Sequence, residues 1–217
     1  MYDRIFILIP TYNPKDKLKE LIEKLQANNF NNILIVNDGS EDDRVFYKIK
    51  NVKVISYGVN RGKGYALKYG LNYLKGIDFD GVITVDDDLQ HTISDIEKIA
   101  RLFISDKGVY LGTRDFKKAP TLRRKGNEIS SKLFKIFHGQ NIPDTQNGLR
   151  CFPKELISKL YNIDGDGFEY ELNVLKYLTH SKIKVNFVDI QTVYKTSKSH
   201  FNIVRDSIKI LKCIIKK

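Results

Sequence analysis

Short aliphatic runs alternating with stretches of helical periodicity restrict the fold of this chain more than any other feature. The runs RIFILIP, NILIVND, VKVISY, GVITVD and GVYLGT are rich in Ile, Val and Leu and carry few polar interruptions. Strands covered on both faces look like this. Between the runs lie KDKLKELIEKLQAN, KGYALKYGLNYLKG and ISDIEKIARLFIS, whose apolar residues recur at every third or fourth position. In the first of them Leu18, Leu21, Ile22 and Leu25 share one helix face. The alternation predicts an α/β fold with right-handed crossovers, a mainly parallel sheet and helices on both faces. With 217 residues the chain reads as one domain that can bury a core without staples, and Cys151 and Cys213 make no disulfide framework. There is no internal repeat and no low-complexity segment.

The five predicted strands end in TYNP, NDGS, GVNRGKG, DDDLQH and GTRD. Ligands of open α/β sheets bind outside the carboxyl ends of the strands. Those ends here bring turn formers, glycines, carboxylates and cations to one edge, which places a ligand site there. The densest of them follows Val85. In extended backbone alternate side chains share a face, so Asp86, Asp88 and Gln90 are expected to point one way and Asp87 and Leu89 the other. Two carboxylates and an amide oxygen form a hard-oxygen set suited to Mg²⁺ or Mn²⁺ completed by water and phosphate oxygens. A bound cation also removes the repulsion between adjacent aspartates. His91 is either a further contact or an ordinary structural histidine.

The net charge is +11, and it is not spread evenly. Residues 117–135 carry seven basic and one acidic side chain, and residues 194–217 again seven and one. An anionic membrane surface, phosphorylated substrates or nucleic acid each attract such stretches. Nucleic acid leaves the carboxylate cluster unexplained and no recognition motif accompanies it, so the reading is of a chain with no nucleic-acid partner. The apolar run near the N-terminus is too short for a signal peptide, and no window approaches a spanning helix. The sequence therefore predicts a chain that does not cross a membrane by itself.

IPTYNP, VNDGS, NRGKGYALKYGL, VDDDLQH, LGTRDF, DTQNGLRCF, GFEYELNVL and KTSKSHF follow one another along nearly the whole chain. In that order they resemble the motifs of family-two glycosyltransferases, above all polyprenyl-phosphate sugar synthases such as dolichol-phosphate mannose and glucose synthases and their bacterial relatives. The resemblance implies a GT-A fold and inverting transfer from a nucleotide diphosphate sugar. By position Pro10, Thr11, Tyr12 and Asn13 line the nucleotide pocket, Asp38 reads the base, and Lys63 lies in the loop beside it. Asp86, Asp88 and Gln90 match the metal-binding residues, and Asp87 lies among them. Arg114 matches an acceptor-side arginine, with Asp144, Glu169 and Glu171 as orienting or acceptor-side residues. Two departures stand out: Pro14 where many relatives have Glu, and Asn37 where many have Asp. The implied division is 1–116 for the nucleotide-sugar half, 117–200 for the acceptor side, and 201–217 for a C-terminal amphipathic helix.

The chemistry of the acceptor separates the remaining readings. A hydroxyl needs a general base, and Asp144, Glu169 or Glu171 would then supply it. A phosphomonoester, largely dianionic at pH 7 because its second pKa is about 6, needs mainly positioning and charge. Lys63, Arg123 and Arg124 are candidates to supply that charge. In a helix over 203–217, Ile203, Val204, Ile208, Ile210, Leu211, Ile214 and Ile215 fall within an arc of about 160°, opposite Arg205, Lys209, Lys212 and Lys216. Such a helix lies in a membrane interface or packs on its own domain. The stretch KKAPTLRRKGNEISSKLFKIFHG mixes cations with Leu122, Ile129, Leu133, Phe134, Ile136 and Phe137, and resembles a membrane-facing segment. Together these features predict an enzyme peripheral on the cytoplasmic face of a membrane, acting on a polyprenyl-phosphate lipid. In bacterial relatives a small multi-helix membrane protein is an associated partner. The alternatives are a family-two enzyme acting on a glycan hydroxyl and a non-catalytic nucleotide-binding module.

Overall fold

The computed structural model describes residues 2–116, 121–191 and 213–215, with the side chains of 121–123 left out. The chain runs β1 (Ile5–Thr11), α1 (Asp16–Ala27), β2 (Ile33–Asn37), β3 (Lys53–Ser56), α2 (Lys63–Leu74), β4 (Gly81–Thr84), α3 (Ile93–Ser105), β5 (Val109–Arg114), α4 (Thr121–His138), β6 (Arg150–Pro153), α5 (Lys154–Leu160), α6 (Glu169–His180) and β7 (Val185–Ile190). The strands form one seven-stranded sheet in the order β3-β2-β1-β4-β6-β5-β7. Only β6 is antiparallel to its neighbours β4 and β5.

Alternation along each strand sorts the core into two layers. Ile7 and Ile9 of β1 face Leu18, Leu21, Ile22 and Leu25 of α1 together with Ile96, Ile99 and Phe103 of α3. Leu8 faces the other way, with Leu67, Leu71 and Leu74 of α2, Phe134 of α4 and Leu172 and Leu175 of α6. Helices thus cover both faces, which is why the central strands read as unbroken apolar runs. The three helices expected from periodicity form at the expected places, with α1's four apolar residues all buried.

Five strands were expected and seven form among the described residues. The two extra strands, β6 and β7, lie in the second half, where β6 begins on an arginine and β7, VNFVDI, mixes polar with apolar residues at a sheet edge. The chain order reverses between β1 and β4: β2 lies on one side of β1 and β4 on the other. At such a switch point the loops after the two strands diverge and leave a crevice. Those loops carry Tyr12 to Asn13 and Asp86 to Gln90.

Helix α4 covers residues that the sequence read as membrane-facing. Phe134 is instead a fully buried core residue, Leu133 and Phe137 pack half-buried against the same layer, and among the described side chains only Ile129 and Ile136 stand out from the surface, at 51% and 73% exposure; the Leu122 side chain lies outside them. Helix periodicity explains the division: Phe134 lies five positions from Ile129, on the opposite face. The proposed C-terminal helix falls outside the described residues apart from 213–215, which are helical. There Ile214 is buried in the core, which at this position favours packing on the chain's own domain, the second of the two readings, over a membrane interface.

Candidate active site

The loops at the switch point are tied to one another by side chains. Asn13, in left-handed conformation at φ 48°, donates its amide to Ser40 Oγ at 2.9 Å and accepts the Glu41 amide on Oδ1 at 2.9 Å. Pro10 and Thr11 are buried at the end of β1, and Thr11 Oγ1 donates to Asp87 Oδ2 across the crevice. Asp38, buried at the end of β2, accepts the Tyr57 hydroxyl at 2.8 Å, the Arg61 amide at 2.7 Å and the Gly62 amide at 2.9 Å. Burial and the Asp38 carboxylate both push the Tyr57 phenol above its ordinary pKa. Gly62 has φ 100°, and a Cβ there would meet the Asp166 carbonyl oxygen at 2.6 Å, so only glycine fits.

The aspartate segment is not extended. It turns at Asp87–Asp88, and Leu89 adopts φ 61°. The period-two argument from the sequence therefore does not orient these side chains. Three consecutive carboxylates diverge instead, each toward its own partner. Asp86 Oδ1 lies 2.7 Å from Lys63 Nζ and Oδ2 lies 3.7 Å from His91 Nε2. Asp87 takes the Thr11 hydroxyl, and Asp88 accepts the backbone and side-chain amides of Gln90. Burial holds the Asp87 carboxyl up at about 6, and its neighbours Asp86 and Asp88 add to this against the Thr11 bond. Burial would raise Asp86 too, but the Lys63 ammonium and His91 outweigh it and hold Asp86 well below the usual carboxylate range.

Lys63, expected in a loop beside the base, is the first residue of α2 and points at carboxylates. It pairs with Glu171 Oε2 at 3.0 Å as well as with Asp86. Burial favours its neutral form, yet the two carboxylates raise its pKa above the ordinary lysine value. On the far side of the crevice Arg114, at the end of β5, meets Asp144 from the loop before β6 at 2.6 Å. Glu169 folds back at the start of α6 to accept the Asp166 and Gly167 amides at 3.2 and 3.0 Å. Arg124 lies exposed on α4, 3.9 Å from Glu128, and the Arg123 side chain lies outside the described residues.

His91 sharpens the reading of this edge. Its ring is buried and neither ring nitrogen has a hydrogen-bond partner. A buried polar group without a hydrogen-bond partner is costly, and the charged atom that Nε2 faces is Asp86 Oδ2 at 3.7 Å. No three His, Cys, Asp or Glu side chains converge as a metal cage among the described residues. The oxygens present suit a cation that takes one or two carboxylates and finds its remaining ligands on phosphate and water. Gly148 and Tyr57 also shape the site. Their signals in the sequence, a glycine after Asn147 and a tyrosine just past β3, do not show which carboxylate they meet.

Residues 6–161 match the profile of Glycosyl transferase family 2. Over 88% of this chain and 86% of the relative, the chain is 30% identical to the UDP-N-acetylglucosamine–dolichyl-phosphate N-acetylglucosaminyltransferase of Methanococcus voltae. It is 25% identical to the dolichyl-phosphate beta-glucosyltransferase of Saccharomyces cerevisiae, covering 96% of this chain and 72% of that protein. Its fold is similar to that of glucosyl-3-phosphoglycerate synthase from Mycobacterium tuberculosis, solved with Mn²⁺, UDP and phosphoglyceric acid. There the TM-score is 0.76 at 15% identity, over 97% of this chain and 77% of that one.

Proposed function

The chain belongs to glycosyl transferase family 2, and from that premise we propose that it moves a sugar, with inversion, from a nucleotide diphosphate sugar to a polyprenyl phosphate at the cytoplasmic surface of a membrane. Residues 1–116 are on this reading the donor half and 117–200 the acceptor side.

The observation that carries the choice of acceptor is the burial of Asp144 in the grip of Arg114, with Glu171 tied to Lys63. A hydroxyl acceptor requires one of Asp144, Glu169 or Glu171 as a base with a lone pair turned to the substrate. Asp144 is wholly buried and held by Arg114 through two hydrogen bonds. Glu171 is held by Lys63 through Oε2, while Glu169 gives only Oε1 to two backbone amides at the start of α6. A phosphomonoester is already a nucleophile at pH 7 and asks for none of them. The Methanococcus voltae relative, a dolichyl-phosphate N-acetylglucosaminyltransferase by name, supports the same acceptor.

The donor lies across the switch point. Pro10, Thr11, Tyr12 and Asn13 form one wall of the nucleotide pocket. Asp38, which accepts three hydrogen bonds, has lone-pair capacity for one more and reads the base with it. Asp88 and Gln90, with Asp86 beside them, are the residues to hold Mg²⁺ or Mn²⁺. Such a cation, when bound, supplies Lewis-acid charge to the departing diphosphate. The Arg114–Asp144 pair orients the acceptor side, with Arg123 and Arg124 on α4 adding positive charge for the lipid phosphate. Ile129 and Ile136 stand out from α4 in one strip with the exposed Lys125 and Lys132. An apolar and cationic strip of this kind seats a helix on an anionic lipid surface. No helix among the described residues is long and apolar enough to cross a membrane.

The test is transfer by purified protein from a panel of labelled nucleotide sugars to polyprenyl phosphate in detergent, with Mg²⁺ or Mn²⁺. Label in the organic phase that needs the cation and disappears in Asp88→Ala is expected. Label appearing only on a glycan hydroxyl, or nucleotide binding without any transfer, would overturn the reading.

A further inference from the structure

The charge that joins the two halves of the site is Lys63. Its ammonium stands between Asp86, at the β4 edge, and Glu171, in the first turn of α6, at 2.7 and 3.0 Å. The Glu171 side chain is 8% exposed and that of Lys63 19%. Neither partner can easily withdraw, because the start of α2 rests directly on the start of α6. The Tyr65 amide donates to the Asp166 carbonyl at 2.9 Å, and Lys68 pairs with the Asp166 carboxylate at 2.7 Å. A Cβ on Gly64 would lie 2.5 Å from Tyr170 Cβ. Asp86 is confined from behind as well: a Cβ on Gly148 would meet its two oxygens at 2.7 and 2.8 Å.

One ammonium shared by two carboxylates leaves a net negative charge on the cluster. Were Lys63 to face Asp86 alone, the pair would be neutral, and its attraction for a cation would fall. We propose that Glu171 is a positioning residue of the donor site: by sharing Lys63 it keeps Asp86 oriented and the cluster anionic beside Asp88 and Gln90. This rests on reading Asp86 to Gln90 as the place of the cation and diphosphate. Glu171 acts through Lys63 and touches no reacting atom.

Glu171→Gln is the direct test, because glutamine keeps the size and an oxygen for Lys63 but not the charge. Mn²⁺ uptake with UDP as probe is read from the electron paramagnetic resonance of free Mn²⁺, and kcat and KM for the donor are measured separately. The expected result is a Mn²⁺ affinity lower by about tenfold, in the range for lost supporting partners, with a lower kcat and an unchanged Tm. The double variant Lys63→Met/Glu171→Gln removes both charges and frees Asp86. It should regain Mn²⁺ uptake without regaining kcat, a separation that a purely structural role does not produce. Wild-type uptake and kcat in Glu171→Gln would overturn the proposal, as would uptake that the double variant fails to recover. Failure of lipid-linked label with these Mn²⁺ differences intact would overturn the acceptor reading alone. A wild-type protein that takes up no Mn²⁺ with UDP would overturn both the cation site and the role of Glu171.

Discussion

Arg114 grips Asp144 at two points, Nε to Oδ2 at 2.6 Å and Nη2 to Oδ1 at 2.9 Å, with the carboxylate side chain wholly buried. The Arg114 and Gln146 amides donate to the same carboxylate at 3.3 and 3.1 Å. These bonds fix the loop before β6 against the end of β5. Removing one partner of a buried pair costs about 3–5 kcal/mol because the other charge is stranded. For a chain of this size each kcal/mol moves Tm by roughly 2–4 °C. Asp144→Ala should therefore lower Tm by about 10 °C, and Asp144→Asn by less, since it keeps oxygen and shape. Calorimetry on the two variants checks this, and an unchanged Tm in Asp144→Ala would show that the pair does not hold the loop.

Asp88 accepts both amides of Gln90 and, among the described residues, pairs with no cationic side chain, unlike Asp86 with Lys63. Asp87 likewise meets no cation, but it takes the Thr11 hydroxyl and burial pushes it up to about 6, which leaves Asp88 as the aspartate to meet a divalent cation. Chelation should abolish transfer, and readdition of Mg²⁺ or Mn²⁺ should restore it. Asp88→Asn should reduce kcat by more than the roughly 10–100-fold that a lost supporting partner costs, with Tm nearly unchanged. Retained activity in the variant, or transfer that survives chelation, would remove Asp88 from the reaction.

The central strands were legible because they are covered on both sides: every residue of β2 and β4 is buried, and nothing polar interrupts the signal. β6 hid because its Arg150 is buried, with its guanidinium given to the carbonyls of Asn147, Glu171 and Thr145. A sequence does not distinguish such an arginine from a solvated one. β7 hid because an edge strand mixes polar residues and an exposed Phe187 with its buried ones, and VNFVDI is short. The importance of the aspartate triplet was legible from its place after β4, but its directions were not. They depend on the left-handed Leu89 and on Lys63, a residue 23 positions earlier that only folding brings to Asp86.

On α4, Lys125, Lys132, Ile129 and Ile136 lie within one exposed strip. Near an anionic membrane each lysine contributes roughly 1 kcal/mol. Lys125→Glu/Lys132→Glu should then weaken partition onto phosphatidylserine vesicles by at least about 10-fold. Ile136→Ser should weaken it without altering its dependence on salt, because the loss is apolar. Vesicle sedimentation at two ionic strengths measures both. Binding that is equal in all proteins, or that does not depend on anionic lipid, would place the membrane contact elsewhere.

His138 anchors the chain near its C-terminus. Its buried ring meets the Ile214 carbonyl at 2.8 Å through Nε2 and His180 Nε2 at 3.2 Å through Nδ1. Nε2 must carry the hydrogen given to the carbonyl, which leaves Nδ1 of the neutral ring to accept from His180. Burial lowers the His138 pKa, and Lys176 and His180 lower it further, against the Ile214 bond. The unfolded chain titrates near the ordinary value of about 6.5, so just below that pH it binds more protons than the folded chain. The contribution of His138 to stability is then full above about 6.5 and is lost as pH falls through the depressed folded value. Asp87, raised to about 6, has the opposite slope: its contribution falls as pH rises from about 4 through 6. His138→Gln leaves Asp87 in place, so the difference between the two proteins isolates the histidine. Thermal unfolding from pH 5 to 8 should show wild-type Tm approaching or crossing that of His138→Gln as pH falls below about 6.5. A Tm difference that stays constant over the whole range would mean that His138 keeps the same charge in both states.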